Sequence, residues 1–171
     1  KAGRTEKEQL LLNKIMHLSY ETVTSEVMKK AADTQTPQGV LTVLKQPSYD
    51  LEELLQAEKG LFLLLEDIQD PGNLGTMFRT GEGAGITGVI MSKNTVDIFN
   101  PKTIRSTMGS VYRVPFIYVE TLAEVLEKMK QKGITTYAAH LAGNTYYDSF
   151  SFAEGTAFLI GNEGNGLQKE T

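Results

Sequence analysis

The sequence predicts an α/β protein built on a mainly parallel sheet with helices on both faces. Short apolar runs at 61–65, 88–91, 116–119, 135–139 and 157–160 recur from Gly60 onward. Runs of this length bounded by turn residues read as buried strands. Helix-like segments separate most of them, and such β-α-β repetition makes the strands parallel. Hydrophobic residues make up 40% of the 171 residues, enough for a core.

Residues 1–46 stand apart from that pattern. Lys1, Arg4, Lys7 and Lys14 make the first stretch polar and basic, and 23–32 reads as one short helix opened by Thr24 or Ser25. A polar, turn-rich break over 33–39 precedes an apolar alternation over 40–44. Alone, this segment is too small to bury a core. Gln46-Pro47-Ser48-Tyr49-Asp50 reads as a linker into a helix over 51–58, which divides the chain into 1–46, a connection at 47–59 and a main domain at 60–171.

Within the main domain, the strand at 61–65 runs through a Pro-Gly turn into a helix expected over 73–83. Asn73 is its expected cap, and Leu74, Met77 and Phe78 form the buried stripe. The helix over 101–109 has Asn100 as cap and Pro101 at its first position. Thr121-Leu122-Ala123-Glu124 is a capping box for a helix over 122–132, and Gly133 stops it.

Composition narrows the function. No apolar run approaches the roughly 18 residues needed to cross a bilayer, and no charged-then-apolar leader opens the chain. Zero cysteines exclude disulfide frameworks and thiolate nucleophiles. These features predict a soluble, cytoplasmic protein. The net charge of −4 makes any RNA contact local, since phosphate binding relies on clustered Lys and Arg. The missing initiator Met and the finish at Thr171 lead to the expectation of a piece of a longer polypeptide.

Ligands of open α/β sheets sit beyond the carboxyl ends of the strands, so the loops there are the candidate site. Asn73 either only caps or takes part in binding. Arg79 either pairs with Glu82 or Asp67, or uses its planar fork on a phosphate or hydroxyl. No G-x-G-x-x-G follows 61–65, which weakens a nicotinamide or flavin assignment. The loop 161–166 frees backbone for close approach of a ligand. Glu163 at its centre disfavours phosphate and fits a neutral or cationic ligand; a tight turn with a solvated Glu is the alternative. Ala138-Ala139-His140-Leu141-Ala142-Gly143 leaves room for a planar ligand at the same edge. His140, without an identifiable Asp or Ser partner, reads as structural, and His17 has less support still. Asp67, Asp70 and Asp97 lack metal-ligand spacing, and no metal is expected. Tyr146, Tyr147, Phe150 and Phe152 are expected to cover the sheet rather than stack on bases.

Three motifs in order resemble the SpoU (TrmH) family of RNA 2′-O-ribose methyltransferases, of the knotted SPOUT class. They are Pro71-Gly72-Asn73-Leu74-Gly75 with Arg79-Thr80; Arg105-Ser106-Thr107-Met108-Gly109-Ser110 with Val114-Pro115; and Ile160-Gly161-Asn162-Glu163-Gly164-Asn165-Gly166-Leu167. The resemblance covers roughly residues 50–171. The stretch Asp33 to Val40 also looks like the end of the family's L30e-like substrate-binding module, here about half its usual length.

The resemblance implies S-adenosylmethionine as cofactor and an RNA ribose as substrate, most simply in ribosomal RNA. A transfer-RNA substrate, or an inactive RNA-binding or ribosome-assembly factor, is the alternative. It implies that Arg79 is the catalytic group beside an RNA phosphate, that Asn73 belongs to the same motif, and that Glu163 supports the active-site loop. Gly161, with neighbouring Asn162 and Gly164, matches the cofactor contact, and Leu141, Ala142 and Gly143 match the loop lining the adenosine pocket. A homodimer is implied as well. Family members continue into an Ile-Pro strand and a Ser-Leu-Asn helix that thread a trefoil knot. The domain expected at 60–171 is therefore truncated before its last motif.

Overall fold

The computed structural model describes residues 6–32, 34–57, 59–152 and 155–171. Lys1, Arg4, Asp33 and Glu58, which figure in the expectations above, lie outside them, as does the side chain of Lys7. The chain divides into two compact units, Lys1–Gln46 and Pro47–Thr171.

In the first unit, α1 spans Glu6–Ile15 and α2 spans Ser25–Ala31. The basic opening stretch had given no sign of α1. Thr24 caps α2 by accepting the Val27 N–H. The alternation at 40–44 forms no strand, and Val43 is 93% exposed. A strand needs a hydrogen-bonding neighbour, and none lies beside it among the described residues.

The second unit opens with α3, Leu51–Leu54, shorter than the expected 51–58. Asp50 caps it, and Leu55, at 2% exposure, already belongs to the core. Five strands follow: β1 Leu61–Leu65, β2 Gly88–Ser92, β3 Phe116–Val119, β4 Thr135–Ala138 and β5 Thr156–Ile160. All pairings are parallel, in the order β3-β2-β1-β5-β4. Between them lie α4 Pro71–Gly83, α5 Pro101–Thr107 and α6 Leu122–Gln131.

The strand period of two divides β1 between two cores. Phe62 and Leu64 face one core with Leu122, Val125 and Met129 of α6, while Leu65 faces another with Leu74 and Phe78 of α4. Each fully buried side chain of this size contributes about 1.5–3 kcal/mol. Helices thus cover both faces, as the β-α-β order requires. The α5 helix packs on α4, where a Cβ on Gly75 would lie 1.8 Å from Ser106 Oγ. It ends at Thr107, two residues before the expected stop, because Met108 turns left-handed at φ 51°.

Strand order locates the working edge. From central β1 the chain steps outward to β2 and β3, crosses to β4 at the far side, and returns through β5 beside β1. The order reverses between β1 and β5, and ligands of such sheets bind beyond the carboxyl ends at that switch. Glu66 leaves β1 there and Gly161 leaves β5 there. Among the described residues, no helix is long and apolar enough to cross a membrane.

Candidate active site

The loop after β1 enters α4 one turn earlier than expected. Asp70, not Asn73, is the cap: its side chain accepts the Asn73 N–H at 2.8 Å, and Pro71 takes the first helical position. Proline suits that position because its missing N–H would have had no helical partner. Asn73 therefore lies within the first turn, with its side-chain amide free to reach outward.

That amide donates to Glu163 Oε1 at 3.1 Å. The Gln69 and Asp70 N–H groups donate to the same carboxylate, each at 3.1 Å. Glu163 is an exposed turn residue but not an idle acid; its carboxylate closes the glycine loop onto the start of α4. Burial raises its pKa, but hydrogen bonds from the Gln69, Glu163 and Asp70 backbone and from Asn73 outweigh that and hold it below the ordinary 4.5. The negative charge also complements the positive end of the α4 dipole.

The glycine loop is organised around Asn162. Its backbone exchanges hydrogen bonds with Gly166 at 3.0 and 2.9 Å, and its Oδ1 accepts the Gly164 and Asn165 N–H groups, each at 2.9 Å. A Cβ on Gly161 would lie 2.3 Å from the Gly166 carbonyl carbon and 2.5 Å from Leu167 N. Glycine at 161 is thus required by the loop's own closure, before any ligand is considered.

Arg79 lies six residues beyond Asn73 on α4, about 9 Å along the axis at 1.5 Å per residue. It is exposed and has no hydrogen-bond or ion-pair partner among the described residues. The pairing with Glu82 that the sequence left open does not occur: Glu82 binds Arg113 instead, through Nη2 at 3.0 Å and through Nε. Leu141, Ala142 and Gly143 follow β4 at the carboxyl edge of the sheet and are exposed, with Leu141 at 105%. His140 Nδ1 accepts the Ala142 N–H at 3.1 Å, a structural task in keeping with a histidine that lacks catalytic partners. Phe150 and Phe152 pack with Tyr137 of β4 and Phe158 of β5, whereas Tyr146 and Tyr147 are exposed and outside that cluster.

The structure therefore joins Asn73 to Glu163, puts Gly161, Asn162 and Gly164 in one self-braced loop, and leaves 141–143 exposed after β4 and Arg79 exposed further along α4. Sequence reading missed the partners Gln69 and Asp70. The Asp70-Pro71 pair was the available signal, since an acidic cap followed by proline marks a helix start.

The SpoU rRNA Methylase family profile matches residues 60–171, which contain every one of these groups. The chain belongs to this family. It is 34% identical over 145 residues to the 23S rRNA (guanosine(2553)-2′-O)-methyltransferase RlmP of Bacillus subtilis, covering 85% of this chain and 56% of that protein. It is 32% identical over 123 residues to the 23S rRNA (guanosine-2′-O-)-methyltransferase RlmB of Neisseria meningitidis, covering 71% and 49%. The chain thus spans about half the length of these relatives. Among solved structures, the AdoMet-bound rRNA methyltransferase of Sinorhizobium meliloti superposes with a TM-score of 0.75 at 31% identity, over 86% of this chain and 56% of that one. The SpoU methyltransferase AviRb of Streptomyces viridochromogenes, in complex with AdoMet, shares the fold at a TM-score of 0.80 and 24% identity, over 92% and 63%.

Proposed function

We propose that the protein is an S-adenosylmethionine-dependent methyltransferase that modifies a ribose 2′-hydroxyl of ribosomal RNA. The observation that carries this reading is the unpartnered Arg79 on the same helix as Asn73, whose amide is bonded to Glu163 of the glycine loop. A fixed scaffold beside an exposed arginine that pairs with no described residue suits a reaction whose substrate brings its own phosphates. The substrate class rests on the RlmP and RlmB likenesses.

The residues at the edge fit the cofactor. An adenine ring is neutral and planar, and 141–143 offer exposed main chain and the apolar side chains of Leu141 and Ala142 rather than charge. Gly161, Asn162 and Gly164 would hold the methionine side from the neighbouring strand end, and Leu141, Ala142 and Gly143 the adenosine. When bound, S-adenosylmethionine supplies an electrophilic methyl group on a cationic sulfonium. Arg79 binds the RNA phosphate and orients the hydroxyl. A guanidinium does not give up its proton in proteins, so the hydroxyl proton passes to the phosphate rather than to Arg79. Asn73 and Glu163 keep α4 and the glycine loop in one arrangement.

The reading extends to a cytoplasmic homodimer in which residues 1–46 are part of an RNA-binding module, 47–59 connect, and 60–171 carry the methyltransferase domain. The test incubates the full-length protein and its Arg79→Ala variant with labelled S-adenosylmethionine and total RNA, then maps ribose methylation. Label should enter ribosomal RNA with the unaltered protein and fall at least about 10²-fold with the variant. Label confined to transfer RNA would replace the substrate class, and undiminished transfer by Arg79→Ala would remove Arg79 from its role.

A further inference from the structure

Asp67 lies two residues past the end of β1 and is left-handed, with φ 55°. Its N–H donates to Ser92 Oγ at 2.8 Å, and the Ser92 hydroxyl donates back to Asp67 Oδ1 at 2.6 Å, which ties it to the end of β2. Its other carboxylate oxygen accepts from Gln168 Nε2 at 2.8 Å, just past the glycine loop. Its carbonyl accepts from Asn162 Nδ2 at 2.7 Å, at the head of that loop, and from Gln69 Nε2 at 3.1 Å. Gln69 is also the residue whose N–H donates to Glu163. One residue thus grips both ends of the glycine loop and the loop that leads to Asn73 and Arg79.

The backbone conformation makes the carboxylate informative. Glycine adopts positive φ without steric cost and Asp is among the few other residues that tolerate it, so here the carboxylate supplies bonds that a glycine in the same turn would lack. Strain of this kind persists at functional edges where the surroundings over-determine it. The preceding Glu66 is buried at 3% exposure and binds the Gln168 N–H at 2.7 Å and the Thr171 hydroxyl, so altering it would disturb the end of β1 itself. Asp67 is only half-buried, and its bonds all lie at the switch edge rather than in either core.

We propose that Asp67 is a positioning residue that locks the Asn162–Gln168 loop to the β1–α4 loop, so that the cofactor side and the Arg79 helix hold one geometry during methyl transfer. The proposal rests on the methyltransferase reading above. The test uses Asp67→Gly and Asp67→Asn in the full-length protein, with hydrogen exchange of residues 162–168 and steady-state methylation of RNA. Asp67→Gly keeps the turn and loses the carboxylate. It should speed exchange of 162–168 about tenfold while β1 and β5 stay protected. It should also lower kcat about 10²-fold with KM for RNA changed less than about threefold. Asp67→Asn tolerates the same turn and can bind a flipped Gln168 amide, so it should recover most of both losses. Unchanged exchange in Asp67→Gly overturns the lock, and faster exchange with undiminished kcat overturns its role in the reaction. If the unaltered protein transfers no methyl group, the methyltransferase reading fails instead, and exchange alone still decides whether Asp67 couples the loops.

Discussion

At Glu163, burial and hydrogen bonding oppose each other, and the donors from the β1–α4 loop prevail. Its folded-state pKa lies below the ordinary 4.5, so its contribution to stability is fully present above that value and is lost as pH falls through the folded pKa. Glu163→Gln, whose NH2 must face either the one donor at Oε2 or the two at Oε1, should lower the urea midpoint at pH 7. The gap from the unaltered protein should close as the pH is taken below 4.5, and a gap independent of pH would show that the charge is not what matters. This residue was legible as a site candidate from its glycine-rich setting. Its partners were not, because Asn73 is 90 residues away and local spacing says nothing about such a pair. The shift of the cap from Asn73 to Asp70 is a different kind of miss, since the Asp-Pro order already carried it.

Among the elements, the close crossing of α4 and α5 is what presents the Arg79 helix. Ser106 Oγ donates to the Pro71 carbonyl at 3.0 Å, and the helices meet where Gly75 has no side chain. Gly75→Ala would bring its Cβ within 2.9 Å of the Ser106 carbonyl carbon as well as 1.8 Å of its hydroxyl, and backbone cannot swing aside. Thermal unfolding should show a loss of about 1–3 kcal/mol, the usual cost of overpacking. Pairing it with Ser106→Gly should restore only part, because the backbone contact remains. The five strands and three main-domain helices were legible from apolar runs and caps. The alternation at 40–44 was not a strand, since period two marks a strand only where a neighbour completes its hydrogen bonds.

At the level of the whole molecule, Pro47–Thr171 contains both hydrophobic clusters, while the apolar residues of Lys1–Gln46 are mostly exposed. Deleting residues 1–46 should therefore leave the thermal midpoint of the remaining chain within about 4 °C, the shift that 1 kcal/mol produces in a domain of this size. A larger fall would mean that the first unit supports the sheet. Parallel pairing was predictable, because helical crossovers impose it. The insertion of β5 between β1 and β4 was not, since the described residues of 139–155 hold only a short 3-10 turn and give no crossover helix to read. By itself the sequence determined the main-domain strands and helices, the parallel sheet and the three motifs, all of which are local patterns of periodicity, caps and glycine. Only the tertiary structure decided that Glu163 staples the start of α4, that Asp67 ties its own loop to the glycine loop and the end of β2, and that Arg79 pairs with no described residue. Those outcomes depend on which distant donors and acceptors meet once β5 settles beside β1, and the pairing of strands far apart in the chain leaves no local signature.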